Sequence, residues 1–245
     1  MKNIKGIRID SVNNIIVMNY KFAAAAAKYG TKENVLMKNH TTFKIGGPAK
    51  LFLEACSKSA IWESLKILKQ NDITPLILGN GSNLVFPDNE YDGVVLKISC
   101  NSIQVINTRI YAEAGALLSS IASIAQKHSL TGFEFATGIP GTLGGAVAMN
   151  AGAYGGEMAQ IIQSAVVLDQ SGQIRELSLE ELKLGYRTSV IQKEGLIVLE
   201  VRMEFQPGNQ DEINGRQAEF KKAREEKQPL EYASAGSTFK RPEGH

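Results

Sequence analysis

Hydrophobic periodicity places this chain in the α+β class. Two segments carry a helical stripe: Ile61, Leu65 and Leu68 in one, and Leu117, Ile121, Ile124 and Ala125 in the other. A third alternates strictly, with Leu199, Val201, Met203 and Phe205 set against Glu200, Arg202 and Glu204, as in a strand with one wet face. A hairpin is written at residues 165–177, around the turn Asp169-Gln170-Ser171-Gly172. With 245 residues the chain makes one large domain or two modest ones, long enough to bury a core without disulfides or a structural metal.

The elements follow in order. Residues 1–38 give little beyond five alanines, Ala23 to Ala27, which favour a helix without specifying one. Residues 51–55 read as a strand, and the first striped helix then ends near Asn71. Residues 75–78 form a short buried strand that runs straight into Gly79-Asn80-Gly81-Ser82-Asn83. Residues 94–98 and 109–113 are further strands, and residues 116–127 are the second helix, stopped near Gly132. A glycine-rich stretch from 137 to 156 precedes the hairpin and the alternating strand. Residues 211–227 form a heavily charged helix with a thin apolar stripe at Ile213, Phe220 and Ala223. Pro207-Gly208 before it marks a domain boundary. From there to His245 the chain holds one helix and one strand start, too little for an independent domain, so further residues are expected to complete it.

Composition excludes several classes. With 27 Lys+Arg against 25 Asp+Glu the net charge is +2, which argues against a basic nucleic-acid binder and against an acidic disordered tail. Cys56 and Cys100 make no CxxC and no metal-ligand spacing, which predicts a reduced cytoplasmic protein. No apolar run approaches the roughly 18 residues of a membrane span. Asn19, Tyr20 and Lys21 interrupt the apolar N-terminal stretch and spoil a signal-peptide core. His40, His128 and His245 share no ligand spacing, so no metal is expected.

Glycine is where the chemistry concentrates. Gly79 and Gly81 match the first two glycines of GxGxxG, but Leu84 fills the third place and Phe86-Pro87 follows where a helix should open, so a Rossmann reading fails. What remains is a tight loop of bare amides and small polar side chains, suited to a pyrophosphate or to an ordinary turn. The second stretch, Gly138-Ile139-Pro140-Gly141-Thr142-Leu143-Gly144-Gly145-Ala146, is denser, with seven glycines from Gly138 to Gly156. Glycine at that density costs folding entropy, so something needs the backbone to come close. A flat, anionic, largely apolar ligand such as a flavin dinucleotide meets that need, with amides near residues 142–145 opening a helix onto its phosphate. A tightly packed small-residue helix meets it too.

Five motifs then stand in a fixed order: Asn39-His40-Thr41-Thr42-Phe43-Lys44-Ile45-Gly46-Gly47, residues 78–85, residues 137–155, Gly185-Tyr186-Arg187-Thr188-Ser189, and residues 234–242. In that order the chain resembles the UDP-N-acetylenolpyruvoylglucosamine reductase (MurB) family over residues 39–245. The resemblance implies a PCMH-type FAD-binding domain of two α/β subdomains over residues 39–206, the fold shared with vanillyl-alcohol oxidase. A C-terminal α+β substrate-binding domain would begin at 207 and be incomplete at 245. The family implies non-covalent FAD, NADPH as hydride donor, and a UDP-sugar substrate reduced during peptidoglycan precursor synthesis in the cytoplasm. It implies neither nucleic acid nor membrane insertion, and the sequence specifies no oligomeric state.

The resemblance also assigns residues. FAD would be held by Gly46, by Gly79, Asn80, Gly81, Ser82, Asn83 and Leu84, and by Gly138, Ile139, Pro140, Gly141, Thr142, Gly144, Gly145 and Ala146, with Asn150 and Gly152 beyond them. Arg187 matches the catalytic arginine, and a guanidinium suits the charge that hydride addition pushes onto a conjugated carboxylate. Ser237 matches the proton donor, and a third catalytic group, a glutamate, is expected beyond His245. Tyr186, Lys227 and Arg241 fall where the family binds substrate. Ala233 stands where many relatives have proline, which loosens the loop before Ser237. Two other readings use the same features: an FAD-dependent oxidase of another alcohol or sugar, which would not need Arg187 with Ser237, and a flavin- or UDP-sugar-binding module without turnover.

Overall fold

The structure, a computed structural model, describes residues 8–10, 15–17, 31–228 and 232–236. Within the first 38 residues it shows an antiparallel pair, β1 (Arg8–Asp10) and β2 (Ile15–Val17), and a third strand, β3 (Lys32–Leu36). The alanine run, Ser237 and Arg241 lie outside the described residues.

A four-stranded sheet joins β3 to β4 (Pro48–Ala55), β5 (Leu76–Leu78) and β6 (Tyr91–Ile98) in the order β3-β4-β6-β5. β3 runs antiparallel to β4, while β4 and β5 both run parallel to β6. Both faces of this sheet are covered, so β4 buries residues that point to either side, Ala49, Leu51, Phe52, Leu53 and Ala55, as a parallel strand does. Leu51, Leu53, Val94 and Leu96 face the main core, and Phe52, Leu78, Val95 and Ala49 face a smaller cluster with Met37 and Phe86. Helix α1 (Lys58–Gln70) links β4 to β5, its first turn capped by Ser57, whose hydroxyl accepts from the Ala60 N–H.

A second sheet is wholly antiparallel: β7 (Ile103–Ile106), β8 (Arg109–Glu113), β12 (Ile162–Leu168), β13 (Ile174–Ser178) and β14 (Ile197–Glu204), in the order β13-β12-β14-β8-β7. Between β8 and β12 come α2 (Leu118–Lys127), β9 (Leu130–Thr131), the six-residue α3 (Leu143–Ala148), β10 (Gly152–Ala153) and β11 (Gly156–Glu157). Short helices α4 (Leu179–Leu182) and α5 (Val190–Glu194) lead into β14, and β15 (Gln206–Pro207) pairs with β9. The long charged helix is α6 (Gln210–Lys227), capped by Asn209, with Asp211 and Glu212 in its first turn and Arg224 and Lys227 in its last.

One expectation changes. Leu117 does not face inward: it precedes α2, is 41% exposed, and bridges to Thr142. The helix therefore starts at 118, and the carbonyls of Ala114 and Ala116 are left for another partner. The junction at Pro207-Gly208 is docked, not open. The Gly208 N–H donates to Ser129 O at 2.8 Å, and Arg216, Gln217 and Asn214 of α6 reach Glu134, Ala122 and Gln126.

Candidate functional site

Three of the five motifs meet at the C-terminal end of β5, where an open parallel sheet offers its loops to a ligand. Asn80 Nδ2 donates to Pro140 O at 2.8 Å, which ties the first glycine loop to the second. The Thr42 N–H donates to Gly81 O at 3.3 Å, which ties it to the motif at 39–47. These short links explain the glycines. A Cβ at Gly79 would lie 2.2 Å from Thr142 Oγ1, and one at Gly81 would lie 2.1 Å from His40 O. One at Gly46 would lie 2.7 Å from Phe86 Cβ, one at Gly144 2.9 Å from Ala114 Cβ, and one at Gly152 2.5 Å from Gly156 O. The glycine density thus answers first to close packing within the protein, against side chains at Gly46, Gly79 and Gly144 and against backbone at Gly81 and Gly152. Gly141 and Gly145 differ: a Cβ there would meet nothing nearer than 3.5 and 3.6 Å.

The expected phosphate cradle at the start of α3 also needs correction. The Leu143 and Gly144 N–H groups donate to Ala116 O and Ala114 O, each at 2.8 Å, so two of the helix's leading amides are committed to the loop before α2. Ala146 is buried and its N–H donates to Thr142 O at 2.9 Å. The available donors lie elsewhere. The backbone N–H groups of residues 80–83 donate to no described residue, and the buried Thr137 Oγ1 has no partner among the described residues. Bare amides in a tight loop, an unpartnered buried hydroxyl beside Gly138 and the space at Gly141 and Gly145 fit the dinucleotide end of an FAD. Leu84 and Ile139 lend apolar surface, each packed partly against a core. His40, 4.5 Å from the Phe52 ring, is held below its ordinary pKa by burial and then by Lys97.

Arg187 lies in a second cluster with Asn150 and Gly152. Its Nη1 donates to Asn150 O at 3.3 Å and its Nη2 to Gly152 O at 3.0 Å, while Tyr186, 52% exposed, lies under the guanidinium at 5.4 Å. Two of five N–H donors are used in this way, which leaves three for an anion. Asn150 itself is buried, with its amide bonded to Gly185 O and Ala159 N. Lys227 is exposed at the end of α6, and no described contact joins it to Arg187 or to the glycine loops. Its neighbour one turn back, Arg224, lies against Gly138, where its Cδ would be 2.7 Å from an added Cβ. Phe220 stacks on Tyr154 at 4.6 Å. Phe220 belongs to the apolar stripe expected of this helix, whereas Arg224 has no sequence signature, because it sits on what reads as a solvated face. Among the described residues no group of three or more His, Cys, Asp or Glu gathers as a metal site, and no helix is long and apolar enough to cross a membrane.

Comparison with known proteins agrees with this geometry. Residues 49–178 match the family described as "FAD binding domain", just over half of the chain. The fold recurs at a TM-score of 0.59 in an alkyldihydroxyacetonephosphate synthase that is only 15% identical and of which 41% is covered. The chain is therefore an FAD-binding protein by class. A UDP-N-acetylenolpyruvoylglucosamine reductase of Clostridium novyi is 49% identical over 231 residues, 94% of this chain and 75% of that one. One from Caldanaerobacter subterraneus is 49% identical over 213 residues, covering 86% and 70%. The crystal structure of the Thermus caldophilus enzyme superposes with a TM-score of 0.73 at 34% identity, covering 85% of this chain and 74% of that one. The chain belongs to the UDP-N-acetylenolpyruvoylglucosamine reductase (MurB) family.

Proposed function

We propose that the protein reduces the enolpyruvyl group of UDP-N-acetylglucosamine enolpyruvate to give UDP-N-acetylmuramate, in the cytoplasm, with NADPH as hydride donor and non-covalent FAD as carrier. The observation that carries this reading is the meeting of three family motifs around the amides of residues 80–83, which donate to no described residue; a half-buried arginine with donors to spare supports it from a second cluster. FAD, when bound, supplies a two-electron carrier between the nicotinamide and the substrate. Residues 80–83, Gly141 and Gly145 hold its pyrophosphate, and Thr137 gives the hydroxyl that lacks a protein partner. Gly46, Gly79, Gly138, Pro140, Thr142, Gly144, Ala146 and Gly152 shape the backbone around the cofactor, Leu84 and Ile139 lend apolar surface, and the Asn150 amide is taken up by Gly185 and Ala159.

Arg187 takes the substrate carboxylate. Hydride reaching one carbon of the enolpyruvyl double bond drives the electron pair toward that carboxylate, and a fixed guanidinium lowers the energy of the enolate-like charge. A proton must then reach the other alkene carbon, and Ser237 is the proposed donor by its place in the Ser-Ala-Gly-Ser-Thr-Phe motif. Tyr186, Lys227 and Arg241 receive the nucleotide sugar, within a substrate domain that begins at residue 207. NADPH and substrate use one site in turn.

Rapid mixing of the full-length protein tests this in two halves. NADPH should bleach the bound flavin, and the enolpyruvyl substrate should restore its colour. Arg187→Ala should keep FAD and its reduction while slowing reoxidation by about 10²–10³-fold. Ser237→Ala should slow the same half-reaction by about 10²–10⁴-fold. Reoxidation by oxygen alone, with no response to the enolpyruvyl substrate, would point to the oxidase reading instead. Equal slowing of both halves in Arg187→Ala would make that residue a support for flavin or fold.

A further inference from the structure

The turn that carries Arg187 is built against its own backbone preference. Gly185 and Thr188 exchange both backbone hydrogen bonds, at 3.0 and 3.1 Å, so Tyr186 and Arg187 are the two central residues of a closed turn. Arg187 sits at φ 55°, a left-handed conformation natural to glycine or asparagine and unusual for a long side chain. Such a residue persists only where its surroundings over-determine it.

The surroundings are one short stretch, residues 148–152. Asn150 Nδ2 donates to Gly185 O at 3.2 Å, and its Oδ1 accepts from the Ala159 N–H at 3.0 Å. The backbone oxygens of Asn150 and Gly152 accept from the two Nη atoms of Arg187. On the other shoulder of the turn Ser189, fully buried, donates to Ala148 O at 2.7 Å. Both shoulders and the guanidinium are therefore pinned to the same strip of chain. Asn150 is 1% exposed and has its own φ at 41°, and both ends of its amide are taken up inside the protein. If Arg187 served only to cap stray carbonyls, no buried side chain reaching back to Gly185 would be needed.

We propose that Asn150 is a positioning residue: it fixes the turn at Gly185 and thereby the direction of Arg187, without itself touching substrate or cofactor. The proposal rests on the role given to Arg187 above. A misplacement of about 1 Å at a reacting centre costs about 10²-fold in rate, so a clamp of this kind governs the second half-reaction alone.

Two substitutions in the full-length protein test it. Asn150→Asp keeps the shape and the acceptor for Ala159 but removes the donor to Gly185 O. Asn150→Gly keeps the positive φ and removes the side chain, and it decides alone should a buried carboxylate prevent folding. Bound FAD and its reduction by NADPH should match the wild type, while reoxidation by the enolpyruvyl substrate slows about 10²-fold. Either change added to Arg187→Ala should slow reoxidation no further, since residues acting through one group are not additive. Loss of FAD, reoxidation at the wild-type rate, or additive slowing on top of Arg187→Ala would each overturn the proposal. If Arg187→Ala itself reoxidises normally, the Arg187 reading fails. If it is slow while the Asn150 variants are fast, only the positioning role fails.

Discussion

Gly81 and Gly145 look alike in the sequence and stand in opposite situations in space. Gly81 has φ 64° and would thrust a Cβ to 2.1 Å from a backbone oxygen, whereas Gly145, in α3, would meet only Thr142 Oγ1 at 3.6 Å. Gly81→Ala should therefore destabilise the flavin-free protein, by at least the 1–3 kcal/mol or so of a strained backbone conformation. Gly145→Ala should leave the flavin-free protein as stable or up to about 1 kcal/mol more so, because alanine loses less entropy in a helix, yet it should weaken FAD. Urea unfolding of apoprotein and a flavin titration separate the two, and the reverse pattern would refute the assignment of the space at Gly145. The glycines themselves were legible in the sequence. Which neighbour requires each was not, because His40 and Thr142 lie some forty and sixty positions from the loop they touch. Asn150 and Ser189 were readable as motif members, but the clamp they form depends on a turn geometry that no residue pattern states.

At the scale of elements, the strands with clear alternation or dense apolar runs were legible, and the β12–β13 hairpin was marked by its turn. β3 and β7 were not: both are edge strands, β3 largely exposed with little hydrophobic signal and β7 only four residues long. The start of α2 was misread at Leu117 because a leucine in phase with a stripe does not reveal that the backbone there is already paired with Thr142. On the wet face of β14, Glu204 accepts from Thr108 and Arg109, and Gln163 Nε2 adds a bond at 3.0 Å. The Thr108 hydroxyl first, and then Arg109, hold its carboxyl below the ordinary glutamate value of 4.5. A carboxylate with a depressed folded pKa stabilises above its unfolded value and loses that contribution as pH falls through the folded one. Wild type and Glu204→Gln should thus differ in urea midpoint near neutrality and converge only as pH falls below the ordinary glutamate value of 4.5 and through the lower folded one. A gap that stays constant across that range would show that Glu204 acts through shape, not charge.

For the molecule as a whole, the order of five motifs in the sequence carried the family and its fold, and three of those motifs mark loops that the structure brings to one junction. The strand order was not legible, as partners in β8 and β14 lie about ninety residues apart and chain proximity says nothing of it. β14 lies between β12 and β8, so both of those strands lack a neighbour until it arrives. During synthesis on a ribosome this imposes a sequence of events: the four-stranded sheet is complete once β6 emerges, but the second sheet waits for residues 197–204. A nascent chain released at Glu194 should present two unpaired strand edges, be cut readily by protease and aggregate. One released at residue 228 should resist both, and equal protease sensitivity of the two would show that β8 and β12 are protected in another way. The glycine loops that would receive the flavin are made before residue 150, yet Ala114, which accepts from the Gly144 N–H, is itself bonded to Leu199 O of β14, so loading of the cofactor should wait for residues 197–204.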